Sequence, residues 1–449
     1  MTTVALVGAG SMVFTRQVVS DLLRVPELRD GLALSLVDVD GGRLQSARGL
    51  AARLVAETGA RASVRASVDR MEGLAGADFV VNTIQVGGYA ATRADFDIPA
   101  RYGLRQTIAD TVGVGGIFRG LRTLPVVLAI CRDMERVAPG ARLLNYTNPM
   151  GMVMLAVATL TGVEAYGLCH SVPHTARALA RYLGVQPDRL AYLAAGVNHQ
   201  SWFLRLTLDG RDAYPDLARA ARRPEIRGRD AVRFELLDRF GVFVSESSEH
   251  NAEYLPYFIR SDAEIARLGI PVGEYLRRSA EGLDRFDRLA EALEAGERLL
   301  LPASDEYAPR LVAALVTGRE TGLQVNIGNA AGLVANLPRD SAVEVPARAG
   351  RRGVVPEAVG TLPTALAALN LAATTAQQLV VEAVRTGRRE AVDEAVMLDP
   401  NAAASLSLDA MARMVDDLLE AHAGMLPPLV RRRAWALAAP QPTPRPEVP

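Results

Sequence analysis

The chain has 449 residues, of which 49% are hydrophobic and 22% charged, enough to bury a large core in roughly two domains. Its formal net charge is −1 and its 50 basic residues are all arginines spread along the chain, so neither a nucleic acid nor an anionic membrane is expected as a partner. The absence of lysine excludes a lysine Schiff base. The chain has only two cysteines and no signal-peptide pattern, which favours a reducing cytoplasm, and no apolar run reaches the roughly 18 residues that span a membrane. With nucleic acids and membranes disfavoured, we expect a small-molecule ligand.

Strands and helices alternate in the N-terminal part of the chain. Continuous apolar runs predict strands, and apolar residues at helical spacing predict the helices between them. The predicted strands are residues 4–7, 32–37, 78–84, 142–146 and 165–168, and the predicted helices are residues 13–23, 44–56 and 119–137. This alternation is typical of a doubly wound parallel sheet, which binds ligands at the carboxyl ends of its strands.

The pattern changes beyond about residue 190. A predicted strand is followed there by long predicted helices, at residues 201–208, 263–300, 364–388 and 407–423. We therefore predict an α/β protein in which a Rossmann-like doubly wound domain precedes a mixed α/β domain for substrate, metal site and oligomerisation. The expected divisions are residues 1–190, residues 191–438 and a proline-rich tail at residues 439–449.

A glycine-rich turn follows the first predicted strand. Gly8 and Gly10 let the backbone approach a pyrophosphate, and Ser11 opens the next helix, whose N-terminus attracts anions. Val13 replaces the third glycine of the usual dinucleotide motif, so an ordinary strand-helix turn stays possible. Asp38 ends the second strand, where it either accepts the ribose hydroxyls and repels a 2′-phosphate or is a solvated strand end. The turn and Asp38 together predict NAD rather than NADP.

Two polar loops leave later strands at the same edge of the predicted sheet. Asn82 begins a glycine-rich loop that suits the nicotinamide half of the cofactor. Asn148 belongs to an Asn-Tyr-Thr-Asn-Pro loop, where its side chain either binds a substrate hydroxyl or forms a turn before the proline. Both loops are predicted to line one crevice.

Four of the five histidines lie in one stretch of the chain, His170, His174, His199 and His250, and the first of them follows Cys169. A thiolate and imidazoles suit Mn²⁺, Fe²⁺, Co²⁺ or Ni²⁺. The alternative for Cys169 is a small buried hydrophobic residue, which is the commoner role of a lone cysteine at a strand end. Together with the nucleotide pattern, this stretch predicts a metal-assisted redox enzyme, in which His174 is given no role.

Several motifs in combination resemble glycoside hydrolase family 4. They are Val-Gly-Ala-Gly-Ser near the N-terminus, Asp110 with residues 113–123, Asn-Tyr-Thr-Asn-Pro at residues 145–149, Cys-His-Ser-Val at residues 169–172, and Asn198-His199. The resemblance covers residues 4 to about 430. It implies an NAD- and divalent-metal-dependent glycosidase, with a fold related to lactate and malate dehydrogenases.

The resemblance also implies the metal site and the sugar. Cys169 and His199 are the implied ligands, with Mn²⁺ the expected ion and Fe²⁺, Co²⁺ or Ni²⁺ as alternatives. The Cys-His-Ser-Val motif resembles the branch of the family that acts on α-galactosides. Branches that act on phosphorylated sugars carry Asn or Asp after the cysteine, so His170 argues against them.

Catalytic roles follow from the same resemblance. Tyr254 matches the base that removes the C2 proton, and His250 is a rival base or a substrate ligand. A tyrosine base needs a lowered pKa, for which a metal ion and Arg260 are candidates. His170 either assists the leaving group or binds the substrate. The implied reaction oxidises C3 with NAD⁺, removes the C2 proton, eliminates the C1 substituent, adds water and returns the hydride, unlike the two-carboxylate mechanism of most glycosidases.

Other interpretations stay open at this point. The chain could act on another α-glycoside, such as a glucoside or a uronide, or be a malate- or lactate-type 2-hydroxy-acid dehydrogenase, which would consume NAD and need no metal. A non-catalytic NAD-binding sensor is disfavoured by the number of polar residues in the crevice. We expect a homodimer or homotetramer.

Overall fold

Residues 1–430 are described by a computed structural model, in which twelve strands join in one sheet. The strands are β1 (Thr2–Val7), β2 (Leu32–Val37), β3 (Ser63–Ser67), β4 (Phe79–Asn82), β5 (Arg142–Asn145), β6 (Ala165–Gly167), β7 (Leu190–Val197), β8 (Gln200–Leu208), β9 (Arg211–Asp212), β10 (Thr321–Gly328), β11 (Ala342–Gly350) and β12 (Gly353–Pro356). The proline-rich tail predicted at residues 439–449 lies outside the described residues.

Helices cover both faces of this sheet and connect its strands. In the described part of the chain they are α1 (Met12–Arg24), α2 (Pro26–Arg29), α3 (Gly41–Thr58), α4 (Arg70–Leu74), α5 (Gly88–Arg101), α6 (Gly113–Val137), α7 (Met150–Leu160), α8 (Ser171–Leu183), α9 (Tyr214–Ala220), α10 (Pro224–Arg227), α11 (Ala231–Phe240), α12 (Ser248–Tyr254), α13 (Asp262–Leu268), α14 (Glu274–Glu294), α15 (Tyr307–Thr317), α16 (Thr364–Thr386), α17 (Glu390–Leu398), α18 (Pro400–Ser405) and α19 (Leu408–Ala421).

The first six strands form a parallel half in the order β3-β2-β1-β4-β5-β6, which is the order of dinucleotide-binding sheets. The later strands extend the same sheet, because β10 pairs with β6 through Asn326 and Gly167, and β11 pairs with β7 through Glu344 and Gly196. The predicted fold class is confirmed. The division near residue 190 stays a prediction, and the sheet is continuous across it.

The elements predicted in the N-terminal half are present with shifted ends, because their apolar patterns are local and strong. One prediction in the C-terminal half is wrong: residues 263–300 do not form one long helix. Helix α13 ends before Gly269, whose φ of +61° closes it in the left-handed conformation, and α14 starts after Gly273, with φ of +75°. Two turns therefore interrupt an apolar pattern that is helical on both sides.

Helices α6 and α16 are long and apolar enough to cross a membrane by length and composition alone, a test that core helices of soluble proteins also pass. The apolar window of α6 is 83% buried, since the helix packs against α7 and α16. At its N-terminal end Arg119 donates from Nε to the carbonyl oxygen of Asn148 at 3.2 Å. The core helix thus reaches the carboxyl edge of the parallel strands, where ligands are expected.

Candidate active site

The turn after β1 has the close approach for which glycine is needed. Gly8 has a φ of +87°, and a Cβ there would lie 2.9 Å from a backbone carbon of Thr83. The Gly10 N–H donates to Asp38 at 2.7 Å, and a Cβ on Gly10 would lie 2.7 Å from the same carboxylate. Ser11 occupies the N-cap of α1. The turn therefore presents the N-terminus of α1 to the space above the sheet, where an anion is favoured.

A crevice of about 1550 Å³ runs along this turn, between the ends of the parallel strands and α14. Asp38 lines it at the end of β2, and its second oxygen accepts the N–H of Asp40 at 3.0 Å. Six arginines also line the crevice: Arg16, Arg43, Arg70, Arg278, Arg285 and Arg288. This positive lining suits a ligand that carries phosphates.

Asn82 lies beneath the crevice and not in its wall. Its side chain is fully buried, and its Nδ2 donates to Oδ1 of Asn145 at 2.8 Å. The wall is formed instead by Thr83 and residues 84–89. The geometry therefore indicates that Asn82 joins the ends of β4 and β5, and that the following loop contacts the ligand.

Cys169, His199 and Glu246 converge at the carboxyl edge of the sheet. One ligand atom from each, a sulfur, an imidazole nitrogen and a carboxylate oxygen, lies within 4.8 Å of the other two. Cys169 follows β6, His199 occupies the turn between β7 and β8, and Glu246 precedes α12. The structure thus brings together the two predicted metal ligands and adds a carboxylate to them.

Strained backbone accompanies this cluster. His199 and Glu246 have φ of +64° and +69°, and Ala109, beside Asp110, has φ of +51°. Such conformations cost about 1 to 3 kcal/mol each in residues other than glycine, and they persist where the surroundings hold them. Thr111 Oγ1 lies 3.3 Å from His199 Nδ1, whereas His199 Nε2 lies 3.6 Å from Glu246 Oε2. A histidine that binds a metal usually engages its other ring nitrogen in this way.

The electrostatics of the cluster favour a cation. Burial would lower the pKa of His199, yet the neighbouring Cys169 side chain and the Glu246 carboxylate raise that pKa to about 10. Burial would raise the pKa of Glu246, but the facing rings of His250 and His199 lower it. The anionic groups thus hold a proton where a divalent ion would replace it. One thiolate, one imidazole and one carboxylate fit Mn²⁺, Fe²⁺ or Co²⁺.

Asp110 forms a second polar group beside the cluster. Its carboxylate accepts hydrogen bonds from Asn148 Nδ2 at 2.9 Å and Thr111 Oγ1 at 2.7 Å, and it lies 3.8 Å from His250 Nε2. Burial would raise the pKa of Asp110, but His250 and the Arg119 guanidinium hold it well below its usual range. Asn148 and His250, predicted to bind substrate, are therefore both positioned by one ionised carboxylate.

Helix α12 connects these groups. Its buried Glu253 accepts the backbone N–H groups of Ile108 and Ala109, each at 2.9 Å, and that of Thr107. The loop that carries Asp110 is thereby fixed to the same short helix as His250 and Tyr254. Burial raises the pKa of this carboxyl group, and the three backbone N–H groups oppose that rise and anchor the loop to the helix.

Tyr254 is 3% exposed, and its hydroxyl donates to the carbonyl oxygen of Asn198 at 2.8 Å. Burial and the carboxylates of Asp110 and Glu246 raise its pKa well above the usual range. A base at this position therefore needs a nearby cation. Arg260 is exposed, so the cation indicated by the geometry is a metal at the adjacent cluster.

His170 lies at the N-cap of α8, with its Nε2 2.9 Å from Glu306 Oε2. Both atoms are buried, and in the described part of the chain neither has an aligned hydrogen-bond partner, so each has the other as its nearest polar neighbour. The imidazole stacks on Tyr146 and Tyr307, with ring centroids 5.8 and 6.0 Å apart. Since Glu306 lines the crevice and His170 follows Cys169, the pair lies between the crevice and the metal cluster.

Sequence reasoning missed four side chains of this site: the roles of Asp110 and Arg119, and the presence of Glu246 and Glu306. Asp110 and Arg119 lie in a motif that carried the family resemblance, so a signal existed without a role. Glu246 and Glu306 are two of 51 acidic residues, and only their positions in the folded structure distinguish them from the others. The spacing of Glu246 and His250, one helical turn apart, was the available hint.

Comparisons with known proteins agree with this geometry. The family 4 glycosyl hydrolase profile matches residues 3–185, and the profile of the C-terminal domain of that family matches residues 194–402. An α-galactosidase from Bacillus subtilis (strain 168) is 41% identical over 95% of this chain and 99% of its own length. An α-galactosidase from Rhizobium meliloti (strain 1021) is 37% identical over 94% and 89%.

A solved structure shares the fold. A 6-phospho-α-glucosidase from gut microorganisms, crystallised in complex with NAD and Mn²⁺, has a TM-score of 0.81 and 22% identity, and the match covers 96% of this chain and 100% of the other. The matched profiles and the full-length relatives span both halves of the sheet and the whole site. The chain belongs to the family 4 glycosyl hydrolases.

Proposed function

We propose that the chain hydrolyses α-galactosides with NAD⁺ and a divalent metal ion, preferably Mn²⁺. The observation that carries the proposal is the convergence of Cys169 and His199, with the Tyr254 hydroxyl bonded to the residue before His199. A large crevice at the glycine turn accompanies this cluster. Two relatives named α-galactosidase share 41% and 37% identity with the chain, and a relative of similar fold was crystallised with NAD and Mn²⁺.

The residues present fit both cofactors. Gly8, Gly10 and Ser11 would hold the pyrophosphate of NAD⁺, and Asp38 its ribose, while Cys169 and His199 would hold the metal. When bound, NAD⁺ would supply a hydride acceptor for the sugar, and the metal ion would supply positive charge to stabilise the anion formed next to the ketone. The remaining chemistry belongs to side chains of this protein.

Tyr254 is proposed to remove the C2 proton. Its hydroxyl points at the carbonyl of Asn198, the residue before His199, so it lies close to the metal ligands. A C2 proton next to a C3 ketone is acidic, and the phenolate becomes accessible once positive charge balances Asp110 and Glu246. His250 is retained as a substrate ligand, because its ring nitrogens already face Asp110 and Glu246.

His170 is proposed to assist departure of the C1 substituent. Glu306 Oε2 lies 2.9 Å from His170 Nε2 and positions the ring, and a protonated imidazole can donate to a leaving oxygen. Asn148, held by Asp110, is proposed to bind a sugar hydroxyl. A 2-hydroxy-acid dehydrogenase would not need Cys169 in this position, and no observation favours that alternative over glycoside hydrolysis.

An assay with 4-nitrophenyl α-galactoside tests the proposal, with NAD⁺, Mn²⁺ and a thiol reductant omitted in turn. Each omission should abolish nitrophenol release. A panel of the α-glucoside, the α-galacturonide and 6-phospho-α-galactoside should rank below the α-galactoside in kcat/KM. Stoichiometric accumulation of NADH, or a ranking led by the uronide or the phosphosugar, would overturn the assignment.

Assembly and compartment belong to the same proposal. The chain is proposed to form a homodimer or homotetramer, and light scattering of the purified protein measures this oligomeric state directly. No nucleic acid or membrane partner is proposed. A reducing cytoplasm is proposed because a thiolate ligand such as Cys169 is lost on oxidation.

A further inference from the structure

We propose that Glu246 is a third protein ligand of the metal, beside Cys169 and His199. This inference rests on the proposed metal role of those two residues. Its first support is distance: a carboxylate oxygen of Glu246 lies within 4.8 Å of both the Cys169 sulfur and a His199 ring nitrogen, so one ion between them can reach all three. The nitrogen nearest to Glu246 is Nε2, 3.6 Å away, the same nitrogen that Thr111 leaves open.

The partners of the Glu246 carboxylate give the second support. Within residues 1–430, the ring and guanidinium nitrogens within 4.0 Å of its oxygens are those of His199 and His250. Its side chain is 22% exposed. A carboxylate that is mostly withdrawn from water and faces two imidazoles has oxygens available to a cation.

The neighbouring carboxylate shows the contrast. Asp110 also lies with His199 and His250 in a possible ligand group. Its oxygens, however, already accept hydrogen bonds from Asn148 Nδ2 and Thr111 Oγ1, at 2.9 and 2.7 Å. The Asp110 carboxylate therefore positions Asn148, and we assign the metal to the Glu246 carboxylate instead.

The backbone of Glu246 gives the third support. Its φ of +69° lies in the left-handed region, directly before the α12 N-cap residue Ser247. His199 shares this conformation, with φ of +64°. Both residues offer a ligand atom within 4.8 Å of the Cys169 sulfur, and such backbone conformations concentrate at ligand sites.

A carboxylate ligand has a consequence for metal choice. Thiolate and imidazole ligands alone favour softer ions such as Zn²⁺ and Cu²⁺, whereas a carboxylate shifts the preference toward Mn²⁺. The two anionic ligands also balance the charge of a divalent ion. Loss of the carboxylate should therefore weaken Mn²⁺ binding more than Zn²⁺ binding.

The test measures binding of the metal alone, without turnover. Mn²⁺ is titrated into the purified full chain, and the free ion is followed by electron paramagnetic resonance. Glu246→Gln should raise the Kd for Mn²⁺ by about tenfold or more, and raise the Kd for Zn²⁺ by a smaller factor. An unchanged Mn²⁺ Kd in a folded Glu246→Gln protein would overturn the proposal.

Two further variants serve as controls for the Mn²⁺ titration. Glu249→Gln is a matched control, because Glu249 is 23% exposed, lies three residues further on and pairs with Arg278 away from the cluster. Its Mn²⁺ Kd should equal that of the wild type. Cys169→Ser should lose Mn²⁺ binding; if it does not, the underlying metal assignment fails, which is distinguishable from failure of the Glu246 proposal alone.

A gain of signal covers the case in which Glu246→Gln does not fold. Glu246→Cys places a second thiol at the proposed ligand position. With Co²⁺, the thiolate-to-cobalt absorption per bound ion should be about twice that of the wild type, because two sulfurs then bind the ion. An unchanged intensity at full Co²⁺ occupancy would contradict the proposal.

Discussion

The two halves of the site are built in different ways. The nucleotide crevice is formed by turns that directly follow consecutive parallel strands, and each turn is specified by residues next to one another in sequence, such as Gly8 and Gly10. The metal half takes Cys169, His199 and Glu246 from three separate segments, two of them in left-handed backbone. Both polar atoms of the Asn198 side chain are also buried there without a partner among residues 1–430.

Backbone strain and unpaired polar atoms concentrate in the metal half. In the crevice, the Asp38 carboxylate already has hydrogen-bond partners within the protein, because it accepts the Gly10 and Asp40 N–H groups. The metal half keeps like charges and unpaired polar atoms together, an arrangement that a bound cation and a sugar would relieve. Substitutions in one half should therefore change binding of that half's cofactor and leave binding of the other cofactor nearly unchanged.

The largest effect is expected for Cys169→Ser. Loss of the thiolate removes the soft ligand, so metal-dependent turnover should fall by roughly a hundredfold or more, beyond the loss typical for residues behind the ligands. The Kd for NAD⁺, measured by calorimetry without metal, should stay within about twofold if the halves are independent.

Cys131→Ala is the thiol control for this variant. Cys131 is fully buried on α6, and burial raises the pKa of its thiol to about 12, so it carries no thiolate at neutral pH. Full metal dependence in Cys131→Ala and full activity in Cys169→Ser together would refute the assignment. Air oxidation should likewise inactivate the wild type through Cys169 alone.

Tyr254→Phe is expected to have the next largest effect. Loss of the proposed base should lower kcat by about 10²- to 10⁴-fold, the usual contribution of general base catalysis. Hydrolysis in D₂O should place deuterium at C2 of the product with the wild type, and nuclear magnetic resonance should show much less exchange with the variant. His250→Ala should reduce the exchange less. Active wild-type enzyme that leaves no deuterium at C2 would exclude the elimination mechanism.

Asp38→Ala tests the crevice in turn. It removes the carboxylate proposed for the ribose, so the Kd for NAD⁺ should rise by about tenfold to a hundredfold, the value of a hydrogen bond to a charged group. The Kd for NADP⁺ should change less, because repulsion of a 2′-phosphate is removed as well. Unchanged Mn²⁺ binding in the same protein is the check that the metal half is intact.

Glu306→Gln should have a smaller and substrate-dependent effect. Glu306 is proposed to position the His170 ring through the 2.9 Å contact between them, which matters only for leaving groups that need a proton. Alkyl α-galactosides should lose about tenfold in kcat/KM, and 4-nitrophenyl α-galactoside should lose little. Equal losses on both substrates would assign Glu306 to binding rather than to leaving-group assistance.

The same division explains what could be predicted from sequence. The alternation of strands and helices, the glycine turn and Asp38 follow local patterns. Cys169 and His199 drew attention because cysteine and histidine are rare in this chain, and the family resemblance implied their role as ligands. Glu246 was not found, because its role depends on a left-handed backbone and on strands distant in sequence. Asn82 was predicted to face the cofactor, but which face of a strand end points to a crevice depends on the packing of Asn145 beneath it.

The smallest effect on activity, and a clear one on stability, is expected for Glu344→Gln. Glu344 is fully buried at the junction of β11 and β7, where its carboxyl group accepts hydrogen bonds from Ser201 at 2.6 Å and Asn326 at 3.3 Å. Burial raises its pKa to about 7, above the value of about 4.3 for an unfolded chain. The folded state therefore keeps this proton over a pH range in which the unfolded state loses it.

The sign of the pH dependence follows from this shift. Since folding retains the Glu344 proton, wild-type stability from this group falls as pH rises from about 4.3 to about 7 and is constant above that. Glu344→Gln cannot titrate, so urea unfolding at several pH values should show its stability rising relative to the wild type across that range, by at most on the order of 4 kcal/mol. Glu357→Gln, an exposed residue directly after β12, should show no such gain. A constant difference in the free energy of unfolding between Glu344→Gln and wild type from pH 5 to 8 would mean that Glu344 does not titrate differently in the folded and unfolded states.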